Sequence, residues 1–263
     1  MSRFINYLNE QRGRPFQTQE QAIDFVAKNC QDAVKAWFKG YRIYRGVQNS
    51  YGKYGYIKPT TERYSANTLN FYTLIINNHP IWKQYPKRQI IASTDQGDAM
   101  GYGYLYLVLP VNGAKIGICR NPDMWDSLTY KGRWADNIND QLYEMLEFYF
   151  NEILEELMPS KIDTAFNTFK KITSEITQDS KFTWHKNNII YDNFFGSNYK
   201  NLYDFMAQEV FSPIKNKFRL QTIKNFSIFE QSEVWTDTAC ALISMKFVND
   251  WEMLDFMEKS QRK

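Results

Sequence analysis

The sequence predicts an α+β fold, with a sheet at its core and a long helical segment. Three short runs of β-branched and aromatic residues lie beside polar breakers, at 41–44, 89–92 and 226–229, and each is typical of a strand. The segment 126–222 between the last two runs carries apolar residues at helical spacing instead. The chain has 263 residues, which is long enough to bury a core without disulfide staples.

A helix is predicted before the first strand. Thr18 and Gln21 have the spacing of a capping box, and Gly40 is expected to end the helix. Its apolar positions are Ala22, Phe25, Val26, Ala33, Val34 and Phe38. A second helix is predicted over about 65–78, opened by Ser65 and ending before Pro80.

The segment after Trp125 is predicted to be helical. Its first helix ends at Pro159, and others are expected at about 160–177 and 199–216. The apolar residues of the first helix follow a four-three-four-four spacing: Ile138, Leu142, Met145, Tyr149 and Ile153.

Composition excludes several classes of protein. The net charge is only +3, so no broad basic surface requires nucleic acid. Three widely spaced cysteines without CxxC spacing argue against a disulfide framework or a zinc site, and two histidines give little support for a metal centre. The N-terminus lacks an apolar signal core and no long apolar run occurs, so we expect a cytoplasmic protein.

Three motifs in fixed order point to one chemistry, the cleavage of a nicotinamide glycosidic bond. Arg45 follows the first strand run, and a guanidinium is a planar, permanently charged partner for a pyrophosphate. Ser93 and Thr94 follow the second run and supply hydroxyls that both donate and accept hydrogen bonds. Glu233 follows the third, and a fixed carboxylate stabilises the positive charge that develops on the ribose as nicotinamide leaves.

With these motifs the chain resembles the mono-ADP-ribosyltransferases of the arginine, serine, glutamate class, which includes bacterial toxins and bacteriophage enzymes. Residues 99–103, Ala-Met-Gly-Tyr-Gly, are similar to the short helix that follows the second strand in that family. Residues 106–117 resemble its strand, proline, glycine-alanine turn and strand. The resemblance covers about 41–125 and 226–247.

The resemblance implies a single domain over 1–263, with a split, mostly antiparallel two-sheet core at 41–125 and 223–250. The unusually long stretch at 126–222 would be a helical insertion. It also implies NAD as substrate, no metal, and a macromolecular acceptor, either protein or nucleic acid. If the chain is of phage origin, it would act in the host-cell cytoplasm.

The same resemblance implies roles for individual residues. Arg45 would hold the phosphates or the nicotinamide ribose, Gly46 would offer its backbone to the carboxamide, and Glu233 would be catalytic. Tyr102 is placed to stack on nicotinamide. Arg63 and Asn67, at helical spacing after the first strand, are placed to reach phosphate or ribose. The implied catalytic set is therefore Glu233, Gln231, Arg45 and Ser93, and the NAD-binding set is Arg45, Gly46, Arg63, Asn67, Ser93, Thr94 and Tyr102.

Two positions depart from the family pattern. Asp95 stands where a second serine is usual, and Gln231 stands two residues before Glu233, where a glutamate accompanies arginine acceptors. A neutral amide can hydrogen-bond an amide or a base edge, but it cannot deprotonate a guanidinium. Arginine is therefore predicted to be a poor acceptor.

Each residue also has a purely structural interpretation. Arg45 is compatible with a surface position on a strand, Glu233 with an exposed strand residue, and Tyr102 with a core tyrosine. Residues 93–95 are compatible with a helix N-cap, and Arg63 and Asn67 with solvated positions.

Three functions remain open at this point. The first is transfer of ADP-ribose from NAD to a macromolecule, and the second is hydrolysis of NAD by the same chemistry. The third is a non-catalytic module that binds nucleic acid or protein through its aromatic residues, which make up 17% of the chain.

Overall fold

A computed structural model describes residues 13–59, 71–150, 162–180 and 188–263. The fold is α+β, with a large antiparallel sheet and several helices. Within the described residues the strands are β1 (Arg14–Pro15), β2 (Tyr44–Val47), β3 (Tyr54–Ile57), β4 (Ile90–Ser93), β5 (Tyr104–Pro110), β6 (Lys115–Ile118), β7 (Thr129–Tyr130), β8 (Arg133–Trp134), β9 (Arg219–Thr222), β10 (Glu233–Thr236) and β11 (Cys240–Ser244). The α-helices are α1 (Gln19–Asn29), α2 (Gln31–Phe38), α3 (Phe71–Asn78), α4 (Gln96–Met100), α5 (Met124–Ser127), α6 (Ala135–Phe150), α7 (Ile162–Glu175), α8 (Ile189–Phe195), α9 (Leu202–Phe205) and α10 (Asp250–Arg262).

The chain divides into two compact units. The first comprises Met1–Thr60, Tyr85–Asp123 and Arg219–Lys263, and the second comprises Thr61–Gln84 and Met124–Phe218. The first unit contains the large sheet, and the second is mainly helical.

Nine strands of the first unit form one sheet, in the order β1-β3-β11-β5-β2-β4-β10-β6-β9, and neighbouring strands are antiparallel. A split into two sheets is predicted from the sequence, whereas the strands follow one another without a break. The sheet is nevertheless weakest in its middle, because β2 pairs with β4 only at Tyr44 and Ser93. We call this single pairing the seam.

Two strand predictions are confirmed with small shifts, and the third is wrong. β2 and β4 lie three residues and one residue later than the predicted runs, and so contain Arg45 and Ser93. The run 226–229 is not a strand; its alternation reflects the burial of Phe226 and Ile228 in the hydrophobic core. The strand begins at Glu233 instead.

Helices cover the hydrophobic core of the first unit. The predicted helix over 18–40 is two helices, because the backbone leaves helical geometry at Cys30, with φ of −125° and ψ of 25°. Thr18 caps α1 as predicted, by accepting a hydrogen bond from the backbone N–H of Gln21. Buried residues of α1 and α2 share this core with those of α10: Ala22, Ile23, Val26, Ala33, Val34, Met253, Phe256 and Met257.

The second unit contains the helices expected after Trp125. α6 and α7 match predicted helices, although residues 151–161 lie outside the described part of the chain. The helix predicted over 199–216 is shorter, since α9 continues as a π-helical stretch, Met206–Val210. The helix predicted over about 65–78 corresponds to α3, and its predicted start at Ser65 lies outside the described residues. In the hydrophobic interior of this unit, the Trp82 indole donates a hydrogen bond to the Phe211 carbonyl at 3.0 Å.

Candidate functional site

The predicted motifs lie on three neighbouring strands of the first unit. Ser93, the last residue of β4, lies opposite Tyr44 on β2 and opposite Glu233 on β10. Arg45 follows Tyr44, and its guanidinium donates a hydrogen bond to the Ile91 carbonyl of β4. This contact bridges β2 and β4 where the backbone pairing between them stops. Ser93 and Glu233 are therefore direct cross-strand neighbours, whereas Arg45 lies opposite Tyr106 on β5 and reaches β4 only through its contact with the Ile91 carbonyl.

Glu233 is buried and ion-paired. The residue is only 7% exposed, which contradicts the alternative of an exposed strand position. Arg88, itself 6% exposed, donates from Nε and Nη2 to the same Glu233 oxygen at 3.1 and 2.7 Å. A buried carboxylate is stable only with such a partner, so Arg88 fixes the position of Glu233.

Arg88 is a site residue that sequence reasoning missed. It precedes β4 and follows Lys87, and two adjacent basic residues do not form a recognisable sequence motif. Trp235, two residues after Glu233, holds the same segment because its indole donates to the Pro86 carbonyl at 2.9 Å. Trp235 lies opposite Gly117 on β6, where a Cβ would come within 2.2 Å of the indole ring. The glycine thus makes room for the tryptophan that fixes this segment.

The hydroxyl motif forms both a helix cap and a link to the glutamate strand. The Asp95 side chain caps α4, and Ser93 Oγ accepts from the Asp95 backbone N–H at 3.0 Å. Thr94 Oγ1 donates to the Glu230 carbonyl at 2.6 Å and accepts from the Ser232 N–H at 2.9 Å. The capping interpretation of residues 93–95 is therefore correct, and Thr94 also fixes the backbone that leads into β10.

Gln231 is exposed, and its Nε2 donates to Asp95 Oδ2 at 3.0 Å. The two departures from the family pattern are therefore bonded to each other. The backbone N–H of Asp98 lowers the pKa of the Asp95 carboxyl below its ordinary value, and the hydrogen bond from Gln231 contributes to the same shift. Asp95 is therefore a carboxylate at neutral pH and accepts both hydrogen bonds.

Gly46 and Tyr102 lie where α4 crosses β2. A Cβ on Gly46 would be 2.1 Å from the Ala99 carbonyl oxygen and 2.8 Å from Tyr102 Cβ, so close backbone packing accounts for the glycine. Tyr102 is 67% exposed, which contradicts the core alternative and leaves its ring accessible for stacking. Arg63 and Asn67 lie outside the described residues.

Gly46→Ala is expected to displace α4 and destabilise the first unit by about 1–3 kcal/mol, as overpacking does in a close-packed interior. Thermal unfolding would measure the effect. Gly101→Ala is the matched control, because a Cβ there would meet only the Asp98 carbonyl oxygen at an ordinary 3.5 Å. Equal stability of the two variants would contradict the steric role of Gly46.

Comparisons with protein-family models, curated proteins and solved structures found no match to this chain.

Among the described residues, no group of three or more His, Cys, Asp and Glu side chains is arranged to hold a metal ion. No helix in the described part of the chain has both the length and the apolar character needed to cross a membrane. Cys30, Cys119 and Cys240 are buried, and each is a thiol that is not in a disulfide.

Proposed function

We propose that this protein is an ADP-ribosyltransferase that transfers ADP-ribose from NAD to a macromolecular acceptor and releases nicotinamide. The observation that carries the proposal is the direct pairing of Ser93 on β4 with Glu233 on β10, with Arg45 on the neighbouring strand β2 and its guanidinium hydrogen-bonded to the Ile91 carbonyl of β4. Strand pairing of this kind requires no such set of side chains. A site that binds pyrophosphate and stabilises a cationic ribose does require them.

In the proposed reaction, the bond between ribose C1′ and the nicotinamide nitrogen breaks, and nicotinamide leaves with the electron pair. The acceptor's lone pair forms the new bond at C1′, and the acceptor's proton passes to solvent. Glu233 stabilises the positive charge on the ribose as it develops. Arg88 acts through Glu233 as a positioning residue, because its two hydrogen bonds restrict the carboxylate to one place.

The remaining residues have binding roles in this proposal. Arg45 holds the pyrophosphate or the nicotinamide ribose. Ser93, directly opposite Glu233, is placed to hydrogen-bond the ribose or the carboxylate. Tyr102 supplies an exposed ring that can stack on nicotinamide. Thr94 supports the site through the backbone contacts that it makes to residues 230 and 232.

Incubation with NAD labelled in its adenylate part and, separately, in nicotinamide would test the proposal. Transfer predicts nicotinamide release together with label on a macromolecule in a cell lysate. Protease and nuclease digestion of the product then distinguishes a protein acceptor from a nucleic acid. Nicotinamide release without macromolecular label would identify hydrolysis instead, and absence of both would leave a non-catalytic binding module.

Arg45→Lys is expected to weaken NAD binding on the order of tenfold, because a point charge replaces a bidentate fork. Calorimetric titration with NAD would measure the change. Arg42→Lys is a control on the same segment, since the Arg42 guanidinium packs on the Trp37 ring at 4.4 Å and has no part in the proposed site. Unchanged affinity in Arg45→Lys would remove Arg45 from the NAD site.

A further inference from the structure

Two loops of the second unit carry exposed basic and apolar side chains. One is the turn between β7 and β8, and the other is the turn over residues 213–217. The whole chain has a net charge of only +3, so four exposed cations in two short loops are a local concentration of charge. We call these cations and the two large apolar residues exposed beside them the basic patch: Lys131, Arg133, Trp134, Ile214, Lys215 and Lys217.

A buried asparagine holds the two loops together. Asn216 is 0% exposed, and its Oδ1 accepts a hydrogen bond from the Thr129 N–H of β7 at 2.9 Å. Its Nδ2 donates to the Val210 and Ser212 carbonyls at 2.9 and 3.0 Å, at the start of its own loop. The side-chain amide therefore fixes the two loops relative to each other.

Electrostatic interactions also link the two loops. Glu209, which precedes the second loop, forms an ion pair with Lys215 and accepts a hydrogen bond from the Tyr199 hydroxyl at 2.6 Å. Burial alone would raise the pKa of Glu209, but these hydrogen bonds and the charges of Lys215 and Lys131 hold that pKa below its ordinary value. Lysines from both loops thus lie around one carboxylate, and the cations of the basic patch outnumber it.

The backbone conformation at two of the lysines is unfavourable for that residue type. Among the described residues other than glycine, positive φ occurs at Lys131, with 49°, and at Lys217, with 58°. Glycine and asparagine adopt this left-handed conformation more readily than lysine does. Lys131 and Gly132 form the two-residue turn of the hairpin, where Asn-Gly is a preferred pair. Such conformations cluster at functional sites, and here each one places a cation in the basic patch.

We propose that the basic patch is a docking surface for single-stranded nucleic acid. Its four cations contact phosphates, and Trp134, which is 58% exposed, provides an indole face on which a base stacks. Phosphate contacts and base stacking are common to RNA and DNA, so the two bind with similar affinity. All six residues belong to the second unit, and the inference does not depend on the proposed transferase function.

The combination of cations with an exposed indole favours a single strand over other anionic partners. A duplex presents phosphates but keeps its base faces stacked inside, so Trp134 gains no partner there. The strands β7 and β8 have two residues each, which is too short a ribbon to read base edges in a groove. An acidic peptide uses the cations and has no base to stack on the indole.

Lys131→Asn combined with Lys217→Asn tests the phosphate contacts. The double variant removes two cations and introduces at both positions a residue that tolerates left-handed backbone, so both turns are retained. Fluorescence anisotropy of the full chain with labelled oligothymidylate of about 20 nucleotides, over a range of salt concentrations, measures binding. Affinity is expected to fall about tenfold, and the slope of log K against log salt by about 1.4, since each phosphate contact on a single strand contributes about 0.7.

Trp134→Leu tests the stacking contact separately. Leucine keeps an apolar side chain on β8 and removes the aromatic face, so affinity should fall about fivefold or more while the salt slope stays unchanged. Lys170→Gln combined with Lys171→Gln is the matched control, because it removes two exposed cations from α7 in the same unit. This control should bind as the wild type does, and thermal unfolding of each variant checks that it is folded.

A cross-linking experiment on the wild type needs no substitution. Light-activated cross-linking of an oligonucleotide that carries 5-iodouracil, followed by mass spectrometry, should place the cross-link on Trp134. Cross-links confined to the first unit would refute the docking surface.

Several binding results would also overturn the inference. These are absence of oligothymidylate binding by the wild type at low salt, equal losses in the patch variant and the α7 control, or unchanged affinity in Trp134→Leu. Tighter binding of duplex DNA, or of polyglutamate, than of oligothymidylate would contradict a single-stranded partner. Because none of these measurements uses NAD, their outcome is separate from that of the nicotinamide-release assay.

Discussion

Glu233→Gln is expected to reduce nicotinamide release by about a hundredfold or more, the scale of loss when a preorganised electrostatic group is removed. NAD affinity should change little, because the carboxylate acts mainly on the charge that develops in the transition state. Gln keeps an oxygen that can accept from Arg88 and loses only the charge. Single-turnover release of labelled nicotinamide, together with calorimetric NAD binding, would separate the two quantities.

Folding must be followed in the same variant, because the substitution removes the negative charge that is paired with the buried Arg88 guanidinium. Glu230→Gln makes the same chemical change at an exposed residue three positions earlier, so it serves as the control. A Glu233→Gln protein that is folded, binds NAD and turns over at nearly the wild-type rate would remove Glu233 from catalysis. If the folded variant no longer binds NAD, the Glu233 carboxylate contributes to NAD binding in the ground state and not mainly to the transition state.

Arg88→Met is expected to cost about 3–5 kcal/mol of unfolding free energy, because it removes the cation that is paired with the buried Glu233 carboxylate. Activity should fall as well, since the carboxylate is no longer held by two donors. Chemical denaturation would measure the first effect, and nicotinamide release by the remaining folded protein the second.

Two comparisons make the stability measurement specific. Arg262→Met breaks an exposed pair with Glu258 on α10, and exposed pairs of this kind contribute only about 0–1 kcal/mol. The double variant Arg88→Met with Glu233→Leu should regain much of the lost stability, since apolar residues of similar volume often replace a buried ion pair without cost. It should remain inactive. If Arg88→Met is no less stable than Arg262→Met, the buried pair does not support the fold.

Locally encoded features were predictable from the sequence. Thr18 as a cap, the end of α3, and the strands that carry Arg45 and Ser93 depend on neighbours within a few residues, and short-range periodicity and capping chemistry record such neighbours. α10 also has a local signature that was missed: Asn249 and Glu252 form a complete capping box. By contrast, the alternation at 226–229 was misleading, because a loop that buries Phe226 and Ile228 has the same pattern as a strand.

The sequence by itself determined the residue types and the order of the three motifs, and hence the chemistry that is proposed. Only the tertiary structure decided how they are paired. Arg88 and Glu233 are 145 positions apart, and Asp95 and Gln231 are 136 apart, so no local pattern relates them. Their contacts exist because β4 and β10 are neighbours in the sheet, and strand order depends on how the whole chain closes around its core. The folded sheet therefore pairs Arg88 with Glu233 and Asp95 with Gln231.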